Sequence, residues 1–394
     1  MQKIFPNRSI AAVCVLAITL LIAPNARAAT RTKANNTDNL NLTTSWTGGV
    51  VPGSGDIALW DSTVTGGNHN YFLGADLNFG EIQITNPSGA VGLNSGTLTL
   101  SGVSGVGIDM SSATHPLNIN CDVILGAAQS WNTGGTSGIN TGFGSIDLGG
   151  FVLTLGGTNP GTGIINKIIS STTAGNGLTK TDTGVWQLGN ANTYTGLTTV
   201  SAGTLRILNG SALGSTTGST TVSSGATLQL LNNITVGVEQ LFLNGTGASG
   251  QNGALVNNTG TNNYGGIVTL QGNATISSDL DTLNLTNTGS ITGAGFNLTL
   301  NGSGNGSVAL AIDTVAGGLI KNGIGTWTLT NASNYSGTTT INRGILSLDD
   351  VNNPSLARLR NTSSVAVNSS GTLLLTQSGP TASTDRINDS GNVL

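Results

Sequence analysis

The sequence predicts an all-β fold wound as a solenoid, and three observations support this prediction. Short runs such as GFVLTLGG (150 to 157) and SGATLQLL (224 to 231) alternate apolar and polar residues, and Gly, Asn or Ser closes each run. One stretch occurs twice, at 177 to 208 and at 318 to 349, with nearly half of the aligned positions identical. Charged residues make up only 8% of the 394 residues, whereas Gly accounts for 60. Repeated short strands with few charges are typical of stacked coils.

The spacing of the strands predicts the size of a coil. GSIDLGGFVLTL (144 to 155) aligns with GSITGAGFNLTL (289 to 300), which extends the repeat to a block of about 140 residues. Asn-Gly pairs could instead supply the hairpins of an antiparallel sandwich, but the strands recur at the length of a coil. A coil of about 20 to 25 residues, stacked at about 4.8 Å, predicts about 15 to 18 coils and a rod about 70 to 85 Å long.

The low charge is a consequence of this stacking. Equivalent residues of successive coils lie one above the other, so stacked Lys or Glu would repel, whereas Thr, Asn, Val and Ile interdigitate or share hydrogen bonds. Gly supplies the corners, where a positive φ is needed. One cysteine, Cys121, follows the N-terminal segment, and its place in LNINCDVIL predicts a buried strand residue rather than a reactive thiol.

Residues 1–28 are predicted to be a signal peptide. Lys3 and Arg8 precede an apolar run from Ile10 to Ala23, and Ala26-Arg27-Ala28 resembles a cleavage site. An uncleaved anchor is the alternative, although this run is shorter than the roughly 20 residues of a membrane span. We therefore expect export through the inner membrane and an extracellular, cell-surface or periplasmic location.

The charge of the mature chain argues against nucleic acid as a partner. Cleavage would remove Lys3, Arg8 and Arg27 from the 13 basic residues of the chain and leave all 17 acidic residues in place. No basic run remains. Proteins that bind nucleic acid usually present clustered Lys and Arg to the phosphates, and this chain lacks such a cluster.

The rest of the chain is predicted to divide into two parts. Residues 29–110 form an N-terminal cap with the first coils, because Trp46, Trp60, Tyr71, Phe72 and Phe79 cluster there and an open solenoid end needs cover. Residues 111–394 form the β-helix that contains both copies of the repeat. No later segment is apolar enough for a transmembrane helix.

The repeated stretch resembles the autotransporter-associated β-strand repeat, also called the passenger-associated transport repeat. The resemblance rests on the pattern G-L-x-K-x-x-x-G-x-W-x-L-x-N-A-x-x-Y-x-G-x-T-T-[VI]-x-x-G-x-L. The residues that carry it in the first copy are Gly177, Leu178, Lys180, Gly184, Trp186, Leu188, Asn190, Tyr194, Gly196, Thr198, Thr199, Gly203 and Leu205. The second copy has Gly318, Leu319, Lys321, Gly325, Trp327, Leu329, Asn331, Tyr335, Gly337, Thr339, Thr340, Gly344 and Leu346.

This resemblance implies a single-stranded, right-handed parallel β-helix in a secreted or surface-displayed bacterial protein. Members of autotransporter type carry a C-terminal outer-membrane barrel, whose strands need apolar bands and aromatic girdles. Residues 350 to 394 contain no aromatic residue. We therefore expect any outer-membrane translocator or anchor to lie outside this chain.

The sequence predicts no catalytic, cofactor-binding or metal-binding residue. His69 and His115 are far apart in sequence and lack the spacing of metal ligands. Asp279 and Asp281 are predicted to share a strand face and are the best candidates for an acid pair or a weak cation site. Two further pairs of acids are possible candidates: Asp349 and Asp350, which are adjacent in a turn-like stretch, and Asp56 and Asp61, which flank Trp60. We interpret all of these as solvated loop or strand-end acids.

The repeat itself offers two further candidates, Lys and aromatic residues. Lys180 and Lys321 recur at equivalent positions, where we interpret them as cations at a coil exit that prevent edge pairing rather than as catalytic lysines. Trp186 and Trp327, with Tyr194 and Tyr335, could form a platform for sugars. Alternation places each Trp on the same face as a Leu, which favours a role in the core.

The sequence therefore predicts an exported, non-enzymatic β-helical structural or adhesion-type passenger protein that presents loops at the cell surface. Surface glycans and host or cell-surface proteins are the candidate partners, and no cofactor is implied. The alternatives are a β-helical enzyme that acts on carbohydrate and a carbohydrate-binding module. Three or more clustered exposed acids would favour the enzyme, and exposed coplanar aromatic residues would favour the binding module.

Overall fold

A computed structural model describes residues 28–135, 137–158, 161–350, 357–376, 386–387 and 392–393. The predicted signal peptide, apart from its last residue, lies outside this range. The described chain is all-β, with 35 strands and a single turn of 3-10 helix at Thr43–Ser45, and it forms a parallel solenoid of about 15 coils. This confirms the predicted fold class, at the lower end of the expected number of coils. None of the described helical segments has the length and apolar character needed to cross a membrane.

The strands in chain order are β1 (Thr30–Thr32), β2 (Ile57–Trp60), β3 (His69–Phe72), β4 (Leu77–Phe79), β5 (Glu81–Ile84), β6 (Val91–Leu100), β7 (Val106–Asp109), β8 (Leu117–Leu125), β9 (Gln129–Thr133), β10 (Ile139–Thr141), β11 (Ser145–Asp147), β12 (Leu153–Gly157), β13 (Thr162–Ile165), β14 (Ile168–Ser170), β15 (Leu178–Lys180), β16 (Val185–Leu188), β17 (Thr198–Val200), β18 (Gly203–Ile207), β19 (Ser219–Val222), β20 (Ala226–Leu230), β21 (Thr235–Val236), β22 (Gln240–Gly245), β23 (Leu255–Asn257), β24 (Thr261–Tyr264), β25 (Val268–Ser278), β26 (Thr282–Leu285), β27 (Ser290–Thr292), β28 (Leu298–Asn301), β29 (Asn305–Val308), β30 (Ala311–Asp313), β31 (Leu319–Lys321), β32 (Thr326–Leu329), β33 (Thr339–Asp349), β34 (Ser364–Thr376) and β35 (Asn392–Val393).

These strands stack into three parallel ladders along the solenoid. The first ladder starts at β1, β2 and β5 and continues through β15 and β17 to β30. The second starts at β3 and β6 and continues through β16, β18 and β31 to β35. The third starts at β4 and β6 and ends on the second half of β34. The solenoid therefore has three faces, and successive strands of the chain pass from one face to the next.

Coil length is variable, while the register on the faces is kept. Lys180 pairs with Val200, whereas Leu243 pairs with Leu270, so the second of these coils is longer by several residues. The differences are absorbed by corners and loops, because strand pairing depends only on the residues within the ladders. At about 4.8 Å per coil, about 15 coils give a rod of about 70 Å.

Corners form where the backbone takes a positive φ. The long strand β6 pairs with β8 on two faces, and its register shifts between Asn94 and Thr97. At that point Ser95 has φ 59° and Gly96 has φ 74°. Left-handed backbone turns the strand from one face to the next, and glycine adopts it without steric cost.

The core is a continuous column of stacked apolar side chains. In β8 buried residues alternate with more exposed ones along the whole strand, and Cys121 is one of the buried residues, as predicted. Burial raises the pKa of its thiol to about 11, so the thiolate is disfavoured. Leu205, Leu228 and Leu255 stack in register and show how identical residues fill the interior.

The aromatic residues of the predicted cap region lie mostly inside the first coils. The indole of Trp46 meets the rings of Trp60 and Phe79 edge-on, with ring centroids 5.6 and 5.7 Å apart. Tyr71 is also buried, whereas Phe72, the next residue along β3, is 54% exposed. A cap over residues 29–110, and a boundary at residue 110, remain predictions.

Candidate functional site

The tryptophans of the two repeat copies belong to the core. Trp186 and Trp327 are fully buried, and their indole N–H groups donate to the backbone carbonyls of Gly156 and Asn301, both at 2.9 Å. A buried indole with its polar atom satisfied cannot stack on a sugar. The interpretation as core residues is confirmed, and the proposed sugar platform is excluded.

The tyrosines of the repeat are also buried and hydrogen-bonded. Tyr194 and Thr198 share a hydrogen bond of 2.6 Å between their hydroxyl groups, and Tyr335 and Thr339 repeat it at 2.6 Å. Thr198 donates in turn at 3.2 Å to the carbonyl of Leu213, which belongs to the stretch that stacks on Asn192 and Tyr194. In the first copy, the Tyr and Thr of the pattern therefore tie one coil to the next.

The interpretation of the repeat lysines as cations at an exposed coil exit is wrong. Lys180 and Lys321 are fully buried. The ammonium group of Lys180 donates to the carbonyls of Thr181, of Asp182 at 2.8 Å and of Ala202 at 3.2 Å. The local sequence suggests exposure because polar residues follow each lysine, but the turn folds back over the side chain.

The second lysine has the same environment. Lys321 donates to the carbonyls of Asn322, Gly323 and Arg343 at 2.5, 3.0 and 3.1 Å. Desolvation lowers the pKa of both amines to about 8. Each ammonium group thus satisfies carbonyls from its own turn and from the following coil, which gives the lysine a structural role.

The two copies of the repeat lie on different faces of the solenoid. The first copy begins on the first ladder with β15, and its Trp186 lies on the second ladder in β16. The second copy begins on the second ladder with β31, and its Trp327 lies on the third ladder in β32. The contacts of Lys, Trp and Tyr within the copies are equivalent, so the repeat is a local unit that is independent of the face it occupies.

The acids considered as candidates are dispersed and already have local roles. Asp279 and Asp281 lie in the turn between β25 and β26, not on one strand face, and this prediction is wrong. Asp281 takes φ 57°, which turns the chain there, and its carboxylate accepts the N–H of Gly260 at 2.7 Å. This carboxylate therefore fixes a corner.

The remaining candidate acids follow the same trend. Asp56 forms an ion pair with Arg31, with 3.4 Å between Oδ2 and Nε. Asp61 accepts a hydrogen bond from the backbone N–H of Thr63 at 2.9 Å. Asp350 is buried and forms an ion pair with Arg386 at 3.6 Å, so its interpretation as a solvated acid is wrong. Pairing and turn capping account for these carboxylates without a catalytic role.

The histidines do not assemble a metal centre. His69 begins β3 instead of lying in a loop, and its Nε2 is 3.4 Å from the hydroxyl of Ser88. His115 contacts the hydroxyl of Thr114 at 3.1 Å. In the part of the chain that the structure describes, no group of three or more His, Cys, Asp or Glu side chains could hold a metal ion.

Two surface hollows were not predicted from the sequence. The first is an acidic groove of about 370 Å³ that crosses several coils and includes Glu81, Asp109 and Asp182. Glu81 is only 7% exposed, and burial together with the charge of Asp109 raises its pKa to about 7. Asp109 accepts from the side chain of Gln83 at 3.2 Å. The three acids are far apart in sequence, so only the stacking of coils brings them together.

The second hollow has a volume of about 620 Å³ and lies at a corner of the first coils. Its lining residues are Asn39, Phe72, Gly74, Ala75, Asp76, Ser95 and Gly96. Phe72 is an aromatic residue that is open to solvent. The sequence groups this residue with the aromatic residues of the predicted cap, whereas its alternation with Tyr71 along β3 assigns it to the outer face.

The repeated stretch with the buried Lys, Trp and Tyr residues matches a known family. The family described as passenger-associated-transport-repeat matches residues 178–207 and 319–348. These ranges hold the buried Lys, Trp, Tyr and Thr residues of both copies. The chain contains two passenger-associated-transport repeats. Each repeat spans two successive coils, since β15 pairs with β17 and β16 with β18.

A similar protein is the Adhesin BmaC autotransporter of Brucella suis biovar 1 (strain 1330). It is 36% identical over 195 residues, which cover 47% of this chain. The aligned part is 4% of that adhesin, so the chain corresponds to a small fraction of its relative. No solved structure matches the chain.

Proposed function

We propose that this chain is a non-enzymatic segment of an exported, adhesion-type passenger protein. Its solenoid would act as a rigid stem that presents surface loops and hollows to partners at the cell surface. The partners would be surface glycans or host or cell-surface proteins. The observation that carries the proposal is the burial of the passenger-associated-transport repeat residues inside a parallel solenoid.

The internal use of the repeat residues supports this role. Trp186 and Lys180 hydrogen-bond to neighbouring coils, and Tyr194 does so through Thr198. Their counterparts in the second copy act in the same way. The residues that define the repeat are buried and cannot contact a partner. Partners would therefore bind to the corners and loops, whose sequences can vary without loss of the fold. The similarity to an adhesin, limited as it is to 4% of that protein, points in the same direction.

Adherence of coated beads tests the proposal. Latex beads that carry the exported chain are expected to adhere to epithelial cells several-fold more than beads coated with the same mass of albumin. Periodate treatment of the cells would remove adherence to glycans, and protease treatment would remove adherence to proteins. Adherence equal to that of albumin beads on every cell type tried would contradict an adhesive role.

The acidic groove provides the matching test for the enzymatic alternative. A buried acid beside a second carboxylate is also an arrangement that glycosidases use. The chain is incubated with neutral and acidic polysaccharides, and new reducing ends are measured beside the variant Glu81→Gln. We expect no release above that variant. Release by the native chain alone would establish an enzyme and overturn the non-enzymatic proposal.

A further inference from the structure

The hollow around Phe72 has a shape that the fold itself maintains. It lies where β3 ends and the chain turns toward β4, beside the corresponding corner of β6. Gly74 has φ 78°, and a Cβ built there would lie 2.1 Å from Oδ1 of Asn41. Gly96 has φ 74°. A larger side chain at Gly74 would collide with Asn41 and Asn39, so this corner of the hollow requires glycine.

The exposure of Phe72 is not explained by packing. Along β3 the side chains of His69 and Tyr71 are buried, and those of Asn70 and Phe72 point outward. In the next coils the position of Phe72 is taken by Asn94 and Asn120, whose side-chain amides hydrogen-bond to each other at 2.9 Å. At this stacked position the coil that borders the hollow therefore carries an aromatic ring, whereas the next two coils carry amides.

Hydrogen-bonding groups lie around the ring of Phe72. Oδ1 of Asp76 accepts the N–H of Thr97 at 2.8 Å, which orients the carboxylate and leaves its second oxygen available. The side chains of Asn39 and Ser95 have no hydrogen-bond partner among the described residues. The hollow therefore offers an anionic acceptor, an amide and a hydroxyl around one aromatic face, and its described lining includes no Lys or Arg.

We propose that this hollow binds one neutral hexose unit of a glycan. A pyranose ring has an apolar C–H face that can stack on Phe72, and its neighbouring hydroxyls can donate to Asp76 and pair with Asn39 and Ser95. A volume of about 620 Å³ accommodates a monosaccharide and leaves open space for the rest of the glycan. Asp76 would repel carboxylated sugars such as sialic acid. This inference rests on the proposed adhesive function and names its partner class.

Saturation-transfer NMR on the exported chain tests the site directly. The probes are methyl α-mannoside, methyl β-galactoside, methyl β-glucoside and sialyllactose. At least one of the three neutral hexosides is expected to bind, and sialyllactose is expected to show no transfer through its sialic acid. Phe72→Ala should weaken binding about tenfold or more, since it removes the stacking face. Asp76→Asn should also weaken it, because a charge-assisted hydrogen bond becomes neutral.

The matched control is Phe143→Ala. Phe143 is 89% exposed and lies outside the hollow, so its loss should leave hexoside binding unchanged. Circular dichroism of each variant shows whether the solenoid is retained. Absence of transfer from all three neutral hexosides, or equal weakening by Phe72→Ala and Phe143→Ala, would overturn the site.

The two proposals fail in distinguishable ways. If bead adherence persists in Phe72→Ala, the chain is adhesive but this hollow is not its glycan site. If hexosides bind at Phe72 but beads do not adhere, the hollow recognises sugar while the adhesive function is wrong. Preference for a basic peptide over every hexoside would assign the hollow to a protein partner instead and would contradict the inference.

Discussion

Single residues of this chain act mainly by satisfying the backbone of the coil they belong to. Lys180 and Lys321 are the clearest examples, because each buried ammonium group binds three carbonyl oxygens. One of the three carbonyls comes from the next coil, Ala202 for the first lysine and Arg343 for the second. A buried positive charge is stable here only because the turns supply enough acceptors.

Replacing either lysine should therefore loosen its corner. Lys180→Met or Lys321→Met keeps the length of the side chain but leaves buried carbonyls unpaired, which should cost about 1–3 kcal/mol. Arg343→Met is the surface control, expected to change stability by about 0.5 kcal/mol or less, since Arg343 is exposed. Urea denaturation, followed by Trp fluorescence, measures the stability of each variant relative to the native chain. Equal midpoints for Lys321→Met and Arg343→Met would contradict the structural role.

The carboxyl group of Glu81 makes stability depend on pH. Its pKa is about 7 in the folded chain, compared with about 4.3 in an unfolded one. Between these values the folded state holds a proton that the unfolded state releases, so stability falls as the pH rises from about 4.3 to about 7 and then levels off. Glu239, whose pKa burial also raises to about 7, contributes with the same sign.

Glu81→Gln should remove the part of this dependence that belongs to Glu81. Glutamine keeps the volume and carries no ionisable proton, so the stability of the variant relative to the native chain should rise from pH 5 to pH 8. Urea titrations at pH 5, 6, 7 and 8 give the difference at each pH. A difference that stays constant over this range would show that Glu81 ionises normally.

Between paired strands, each repeat depends on a glycine one coil before its Trp. Gly163 pairs with Trp186 on β13 and β16, and Gly306 pairs with Trp327 on β29 and β32. A Cβ at Gly163 would lie 2.2 Å from the indole of Trp186, and one at Gly306 would lie 2.5 Å from that of Trp327. The indole therefore lies directly against the backbone of the preceding coil.

Adding one methyl group at these positions should displace the rigid indole. Gly163→Ala or Gly306→Ala is expected to cost about 1–3 kcal/mol as an overpacking change. Gly55→Ala is the matched control, because a Cβ there meets no atom and the backbone φ is not positive. Hydrogen exchange resolves the effect by region and should show faster exchange in the coils around each Trp. Unchanged exchange around Trp186 in Gly163→Ala would contradict this account.

Along the full length of the rod, the coil is the unit that can be added or removed. The two repeats occupy different faces yet keep equivalent internal contacts, so the solenoid has no preferred face for them. Thr198 pairs with Thr220, and Val200 pairs with Val222, which makes the segment from 198 to 219 one full coil. Stability in such an array is a sum over coils and their neighbours, not a property of one central core.

Deletion of residues 198–219 should therefore give a shorter folded rod. The junction joins Leu197 to Thr220, which takes the place of Thr198 on the ladder and offers the same hydroxyl to Tyr194. Circular dichroism should be retained, and solution scattering should report a rod shorter by about 4.8 Å. Deletion of residues 198–208, half a coil, is the control and should unfold the neighbouring coils because it shifts the ladder register. Equal stability of the two deletions would contradict the modular view.

Local signals in the sequence were sufficient to predict the solenoid and the core positions of the repeat. Period-two alternation and the long repeat identify inward residues such as Trp186 and Cys121 without reference to the neighbouring coil. The same signals misplaced Lys180 and Asp281. The direction of a side chain at a corner depends on a positive φ and on groups supplied from the neighbouring coil, and neither is visible in a local pattern.

Which distant residues meet could be seen only after the coils were stacked. Glu81 lies beside Asp109, and Ser95 lies beside Phe72 of the preceding coil, although the lengths of the coils vary from one to the next. The face that each repeat occupies likewise depends on the residues between the copies, which advance the second copy by one ladder. The alternation of a strand specifies inside and outside, but the surface pattern depends on the accumulated length of every loop before it.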